Sequence, residues 1–554
     1  MAGWKPVTVA ALLAASAGAA RIVATNGGGP DWGMIGNDSE NSRNAPLERT
    51  IGPDNVHQLR PKWIATTTGD VSGTPAVVAG AVYFGDFGGT VRKLDAETGE
   101  VIWAASVATY TGHTGDYART SPSLAGNTLV VGVIRGTLSA SNPCPAPAVD
   151  DSCPDMLGIN AKTGELRWKT RIHGDPRAAM TGSPVLANDT IVTGISANGA
   201  GGVNATFRAA IVALNAQTGR ILWRTYSVPD NGGVAGGYAG ATMFAPPAVS
   251  TSLGLVYGTF GQAYHVPDVV TACHTQMDAA AGGFAESCEQ PGAFWKSIVA
   301  FDLQTGEPRW ARRMNRSDGL CASQPAAVTW CAADSDGEKW DLGGSGANVM
   351  RLRMDGHWRD AVGIGAKSGV YTLLDARTGA RIWSTLVGPG GDQGGVEWGT
   401  AFDGARIYVP ITNHHHIPYK LTQDGALDLS SQVTGGSWAA LDPISGKILW
   451  QTADPQIETV PGFTNVGVWD LAPLSVANGV VYAGSMAKLA NQDQFFALDA
   501  ATGSILWQWG AGVSVNAGPA IVRGSVYWGS GYARSGVEGS GNNRQLFAFS
   551  LNGE

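Results

Sequence analysis

Charge is scarce in this chain. Asp, Glu, Lys and Arg make up 15% of its 554 residues, and the formal net charge is −8. A surface that holds nucleic acid is rich in Lys and Arg, so this balance excludes nucleic acid as a partner. Beyond the first twenty residues no apolar run is long enough to span a bilayer. The six cysteines form no C-x-x-C pair, which removes the usual zinc spacing, and no C-x-x-C-H, which removes covalent haem attachment. The Gly-rich stretches Gly232–Ala241 and Gly390–Gly395 lead into no P-loop Lys, so neither indicates a phosphate cradle.

Gly (77) and Trp (19) are abundant, and both recur at a fixed place in one phrase. "FFALDAATGSILWQWGAG" runs from Phe495 to Gly512, and close copies start at Val91, Leu157, Ile211, Ile298, Val370 and Trp438. Each reads as strand, short polar turn, strand. The turn Gly (Gly99, Gly164, Gly219, Gly306, Gly379, Gly446, Gly503) supplies a positive φ. The Trp four residues later (Trp103, Trp168, Trp223, Trp310, Trp383, Trp450, Trp507) lands on the second strand, where its ring can pack on the next repeat. A second two-strand phrase precedes most copies, as in "GTPAVVAGAVYFGDF" from Gly73 and "AGPAIVRGSVYWGSG" from Ala517. Two hairpins per unit predict an all-β propeller. The C-terminus offers three strands without a closing Trp strand, and Val56–Thr67 offers a lone strand with Trp63. Joined in one blade, they close the ring at eight blades.

Residues 1–20 carry one Lys, an apolar stretch and the small residues Ala17-Gly18-Ala19. They read as a secretory signal peptide, leaving 21–554 as a single propeller domain in a secreted or secretory-lumen protein. Nearest-neighbour pairing of the cysteines gives Cys144–Cys153, Cys273–Cys288 and Cys321–Cys331, and N-glycosylation sequons start at Asn37, Asn188, Asn204 and Asn315.

The repeat "ALDAATGSILW" and the segment Asp31–Trp63 resemble the quinoprotein alcohol dehydrogenases, eight-bladed propellers that bind pyrroloquinoline quinone (PQQ). Within that family "WDLGGSGANVM" from Trp340, "GAKSGVYTLLDARTG" from Gly365 and "EWGTAFDGARIYVPITN" from Glu397 resemble the polyvinyl-alcohol dehydrogenase branch. The resemblance implies that a Ca²⁺ ion, held by oxygen ligands, polarises the quinone. It implies that an Asp takes the substrate proton. It places Asp341 at the base position and Lys367 at the cation over the quinone, as the catalytic pair. Arg119 falls where an Arg meets the cofactor carboxylates. Glu397 and Trp398 line the cofactor, with Asn413 at the end of their segment, and Trp469 is expected in the wall of the central cavity.

Other positions depart from the pattern. Asn198 stands where a calcium-binding Glu is expected, and Gln262 where a metal-ligating Asn is expected. Met243 and Phe244 replace the Trp floor. If calcium is retained, Asn198, Gln262 and Asp341 are its ligands; otherwise no metal site is assigned. Losing a carboxylate weakens a Ca²⁺ site, and losing an indole removes stacking surface. We therefore read the chain as an enzyme whose redox cofactor is lost. Its pocket would then perform non-redox chemistry (cycloaddition, isomerisation or dehydration) on a small organic substrate. The alternative is a PQQ- and Ca²⁺-dependent alcohol dehydrogenase with an external electron acceptor; a second alternative is a non-catalytic binding propeller. His414-His415-His416 reads as a rim loop or a substrate contact and not as a metal site, since successive strand residues point to opposite sides.

Overall fold

The computed structural model describes residues 30–136, 153, 155–197, 206–277, 286–314, 342, 344–391, 393–532 and 544–554. The leader expected at 1–20 lies outside them.

Each copy of the repeated phrase folds as a hairpin for a local reason. Between the strands Phe495–Asp499 and Ile505–Trp509, the Asp499 carboxylate accepts the N–H groups of Ala501 and Thr502 at 2.9 and 2.8 Å, and Gly503 takes φ +74°. The turn satisfies its own polar groups and needs a residue without Cβ. Just inside it the strand register slips between Ala497 and Leu498, a bulge that adds twist. The same slip recurs beside the equivalent turns near Leu94, Ile159, Leu214, Phe301, Leu374 and Leu441.

The indoles fasten the blades. Eight Trp Nε1–H groups donate to a backbone carbonyl of the next blade at 2.9–3.1 Å, from Trp63 to Ala96, through Trp103, Trp168, Trp223, Trp310, Trp383 and Trp450, to Trp507 onto Leu59. The neighbouring turn Gly lies flat on the ring: a Cβ at Gly219 would fall 2.4 Å from Trp168. Each indole thus contributes a buried apolar face and a satisfied donor.

The described residues form eight four-stranded sheets, seven of them sequential. In the eighth blade Leu59–Thr66 pairs antiparallel with Gln545–Leu551, beside Ser525–Gly529 and Ala520–Val522. The ring closes by joining strands from both ends of the chain, as expected from Trp63.

Residues 31–45 belong to no blade. They form a strap that follows the ring and offers its main chain to the innermost strands. Trp32 pairs with Val77 of blade one. The N–H groups of Leu124, Val249, Val349 and Phe402 donate to the carbonyls of Gly33, Ser39, Glu40 and Ser42. Ala45 N–H donates to the Val476 carbonyl of blade seven. The strap therefore closes one end of the channel and ties six blades.

Cys273–Cys288 is bonded, with a Cα separation of 5.7 Å. Cys153 is disulfide-bonded; Cys144, Cys321 and Cys331 lie outside the described residues. One sequon needs correction: Asn37 is buried in the strap, with its amide bonded at 2.6 Å to the Asn44 carbonyl, so its nitrogen is not presented for a glycan. Asn188 is exposed, and Asn204 and Asn315 lie outside the described residues. No helix among the described residues is long and apolar enough to cross a membrane.

Candidate functional site

The loops that lead into the innermost strands point at the axis, opposite the strap. They line a small, open-mouthed cavity with Ile35 of the strap in its wall. One side is polar, from Ser72, Thr74, Ser121, Thr181 and Asn516; the other carries Phe244, Trp398 and Pro473.

Seven polar atoms of this wall are buried without a hydrogen-bond partner among the described residues: Ser72 Oγ, Thr74 Oγ1, Ser121 Oγ, Thr181 Oγ1, Asn516 Oδ1, Trp398 Nε1 and Arg119 Nη1. A buried polar atom left unpaired costs about 1–3 kcal/mol, so such a group gathered in one cavity is suited to meeting a polar ligand. Arg119 is 4% exposed. Its guanidinium carbon lies 5.1, 5.3 and 5.6 Å from the ring centres of Trp398, Tyr532 and Phe87. Three aromatic faces hold the cation without neutralising it, which leaves its charge available to an anion.

Beside this group Lys367 Nζ stands 3.0 Å from Glu397 Oε1 and 5.2 Å from the centre of the Phe244 ring. Phe244 meets Trp398 edge-on, with centroids 6.0 Å apart. Trp398 has φ +56°, and Gly399 follows at φ +142°. This unusual pair of backbone angles turns the indole to the cavity.

The structure therefore brings together Arg119, Phe244, Lys367, Glu397 and Trp398. Asp341 and Asn198 lie outside the described residues. Three expectations need correction. Met243 is a core residue, fully buried against Gly194 and Gly258, because adjacent residues face opposite ways and Phe244 takes the cavity side. Gln262 is exposed and is no part of the cavity wall. Asn413 is fully buried, but its amide donates to the carbonyls of Ile417, Thr434 and Gly435, and its oxygen accepts Ile417 N–H. It fastens a loop. Trp469 packs one layer out, with Tyr532 and Trp398 in one cluster and His414 at 4.8 Å. Among the described residues no group of three metal-ligating side chains forms.

The hydroxyl side was missed from the sequence. Its signal is the recurring Ser, Thr or Gly just before Pro ahead of the innermost strand, as in "SGTP", "RTSP" and "TGSP". Also missed was a buried acid pair. Asp454 and Asp470 are both enclosed; burial raises both carboxyls, Asp454 to about 6, and the nearby Asp454 charge raises Asp470 further.

Comparison with known proteins fits this geometry. Residues 32–387 match the model of the glucose/ethanol/alcohol dehydrogenase β-propeller domain, and residues 366–534 match that of outer membrane protein assembly factor BamB. The chain is 28% identical to a polyvinylalcohol dehydrogenase of a Pseudomonas species, covering 95% of this chain and 78% of the relative. It is 27% identical to the polyvinylalcohol dehydrogenase of Sphingopyxis sp. (strain 113P3), over 95% and 77%. Among solved structures, the quinohemoprotein alcohol dehydrogenase of Comamonas testosteroni superposes with a TM-score of 0.66 at 19% identity, over 95% of this chain and 81% of the other. That likeness is one of fold.

Proposed function

The chain belongs to the glucose/ethanol/alcohol dehydrogenase β-propeller family, and from that premise we propose that it is a PQQ-dependent alcohol dehydrogenase acting on hydroxyl groups like those of the polymer its relatives are named for. The non-redox reading drawn from the sequence gives way to this alternative. Departures at Asn198, Met243, Phe244 and Gln262 carried that reading; Met243 and Gln262 are no part of the cavity wall, Phe244 lines it, and Asn198 lies outside the described residues.

The carrying observation is the set of unpartnered polar atoms around Arg119, which forms no salt bridge among the described residues. A flat, polycarboxylated quinone fits that wall: Arg119 and the hydroxyls would hold its carboxylates, and Trp398 with Phe244 would flank its rings. Bound there, the quinone would supply the two-electron acceptor for oxidation of an alcohol to a carbonyl compound, with an external acceptor taking up the electrons. Lys367, aimed by Glu397, offers N–H donors to a ligand oxygen. Asp341 is the proton acceptor for the substrate hydroxyl, by its match to the family's base position. Calcium has a thinner case. Glu397 is engaged by Lys367, and of the three proposed donors only Gln262 is described, exposed and away from the cavity.

The test is titration of metal-stripped protein with PQQ, with and without Ca²⁺, by absorbance and calorimetry, then dye-linked oxidation of secondary alcohols and polyvinyl alcohol. Saturable, stoichiometric uptake with alcohol-dependent dye reduction is expected. Absence of uptake at saturating PQQ overturns the reading.

A further inference from the structure

Arg43 lies in the strap and is 1% exposed. Burial pulls its guanidinium down to about 9, and no carboxylate among the described residues forms a salt bridge with it. A buried cation is a costly way to fill space, and an apolar side chain of like volume is usually no worse for stability. Its bonds say what it does. Nη2 donates to the Trp398 carbonyl at 3.0 Å and Nη1 to the Ile35 carbonyl at 3.3 Å.

The first of these carbonyls is unusual. Because Trp398 is at φ +56° and Gly399 at φ +142°, the peptide between them turns away from any strand and toward the strap. Gly399 is required there: a Cβ would fall 2.4 Å from Arg43 Nε. A Cβ on Gly518, another cavity residue, would lie 3.3 Å from Arg43 Nη1. The guanidinium thus sits directly behind the cavity, beneath the turn that carries Glu397 and Trp398. Above the turn, Trp398 N–H donates to the Gly344 carbonyl at 2.9 Å.

We propose that Arg43 is a positioning residue: it latches the Glu397–Trp398–Gly399 turn to the strap and so sets the angle of the Trp398 indole in the cavity wall. Without the fork, the Trp398 carbonyl has no donor, and its left-handed conformation, which costs energy in a non-Gly residue, loses the bond that holds it. The N-terminal strap is in this way part of the site, 355 positions away in sequence.

The test uses the full chain labelled with 5-fluorotryptophan, with the Trp398 resonance assigned by Trp398→Phe. In Arg43→Met that resonance shifts or broadens, while those of the blade-docking indoles stay in place and the thermal midpoint is retained or raised. Arg43→Lys, which keeps the charge and loses the fork, gives a smaller change of the same kind. An unmoved Trp398 resonance in either variant overturns the proposal, as does a change spread over all indoles with a lowered midpoint, which marks a merely structural role. If Arg43→Met does not fold, Arg43→Lys decides. None of this needs a ligand, so it stands apart from the dehydrogenase reading. Where the wild type takes up PQQ, its dissociation constant rises about tenfold in Arg43→Met, and an unchanged constant counts against the latch.

Discussion

Lys367 Nζ lies 3.0 Å from Glu397 Oε1, with both side chains largely withdrawn from solvent. Removing one partner of such a buried ion pair costs about 3 kcal/mol. Lys367→Met is therefore expected to lower the unfolding free energy by about that amount. Lys367→Met combined with Glu397→Gln recovers most of it, since the carboxylate's charge is removed together with that of its ion-pair partner. Under the dehydrogenase reading both variants lose about 100-fold in kcat, because the ligand loses its aimed N–H donor. Urea unfolding beside dye-linked assays checks it: stability regained without activity regained marks the pair as part of the site.

Arg119 behaves differently, because its charge has aromatic neighbours and an open Nη1 instead of a carboxylate. Arg119→Met should leave the thermal midpoint unchanged or raise it, as a buried unpaired donor is removed. PQQ binding should weaken about 100-fold, the worth of roughly 3 kcal/mol for charge-assisted bonds. Calorimetric titration of wild type and variant decides this; equal affinities would place the ligand elsewhere.

The ring was legible because its fastener repeats. A Trp at a fixed distance past a Gly turn is a periodic signal, and even the out-of-phase Trp63 found its place, with its bond to Ala96. The charged and aromatic half of the cavity was also legible, since Arg119, Lys367, Glu397 and Trp398 lie in distinctive segments. The hydroxyl half was not. Ser or Thr before Pro is an ordinary turn composition, and only the ring arrangement shows that three such loops, at Thr74, Ser121 and Ser183, meet beside Asn516. Met243 and Phe244 show a second limit: neighbours on an extended backbone face opposite ways, so a shift of one exchanges a core residue for a cavity residue. Asn413 shows a third, for sequence gives a polar side chain without saying that backbone carbonyls already occupy it.

Gly219 tests the fastener. It has φ +70°, and a Cβ would meet the Trp168 ring at 2.4 Å and Thr170 Oγ1 at 2.6 Å. Gly219→Ala adds left-handed strain of about 1 kcal/mol and forces the indole off the turn, where its bond to the Ala216 carbonyl is made. A loss of about 3 kcal/mol in total is expected. Gly254→Ala has the same handedness, φ +67°, with open space around its Cβ, so it should lose only the strain. The comparison by chemical denaturation separates docking from backbone preference.

The pair Asp454 and Asp470 gives the protein a pH dependence with a definite sign. Both carboxyls are raised, chiefly by burial, Asp454 from 3.8 to about 6 and Asp470 well above 3.8, where the nearby Asp454 charge adds to burial. A carboxyl raised in the folded state contributes stability fully below its unfolded value near 3.8 and loses it as pH climbs through the folded value. The folded chain thus binds more protons than the unfolded one from about pH 4 upward, and stability drains away across that window. Asp470→Asn supplies a permanent amide donor to Asp454 and removes the second charge. Relative to wild type it should match within error at pH 4 and gain about 2 kcal/mol or more by pH 8. Urea unfolding of both proteins across that range measures the difference, which cancels contributions from other titrating groups. A difference that stays flat would mean that the two carboxylates are ionised together without cost, which their enclosure by the blade-six and blade-seven loops, at 5% and 0% exposure, argues against.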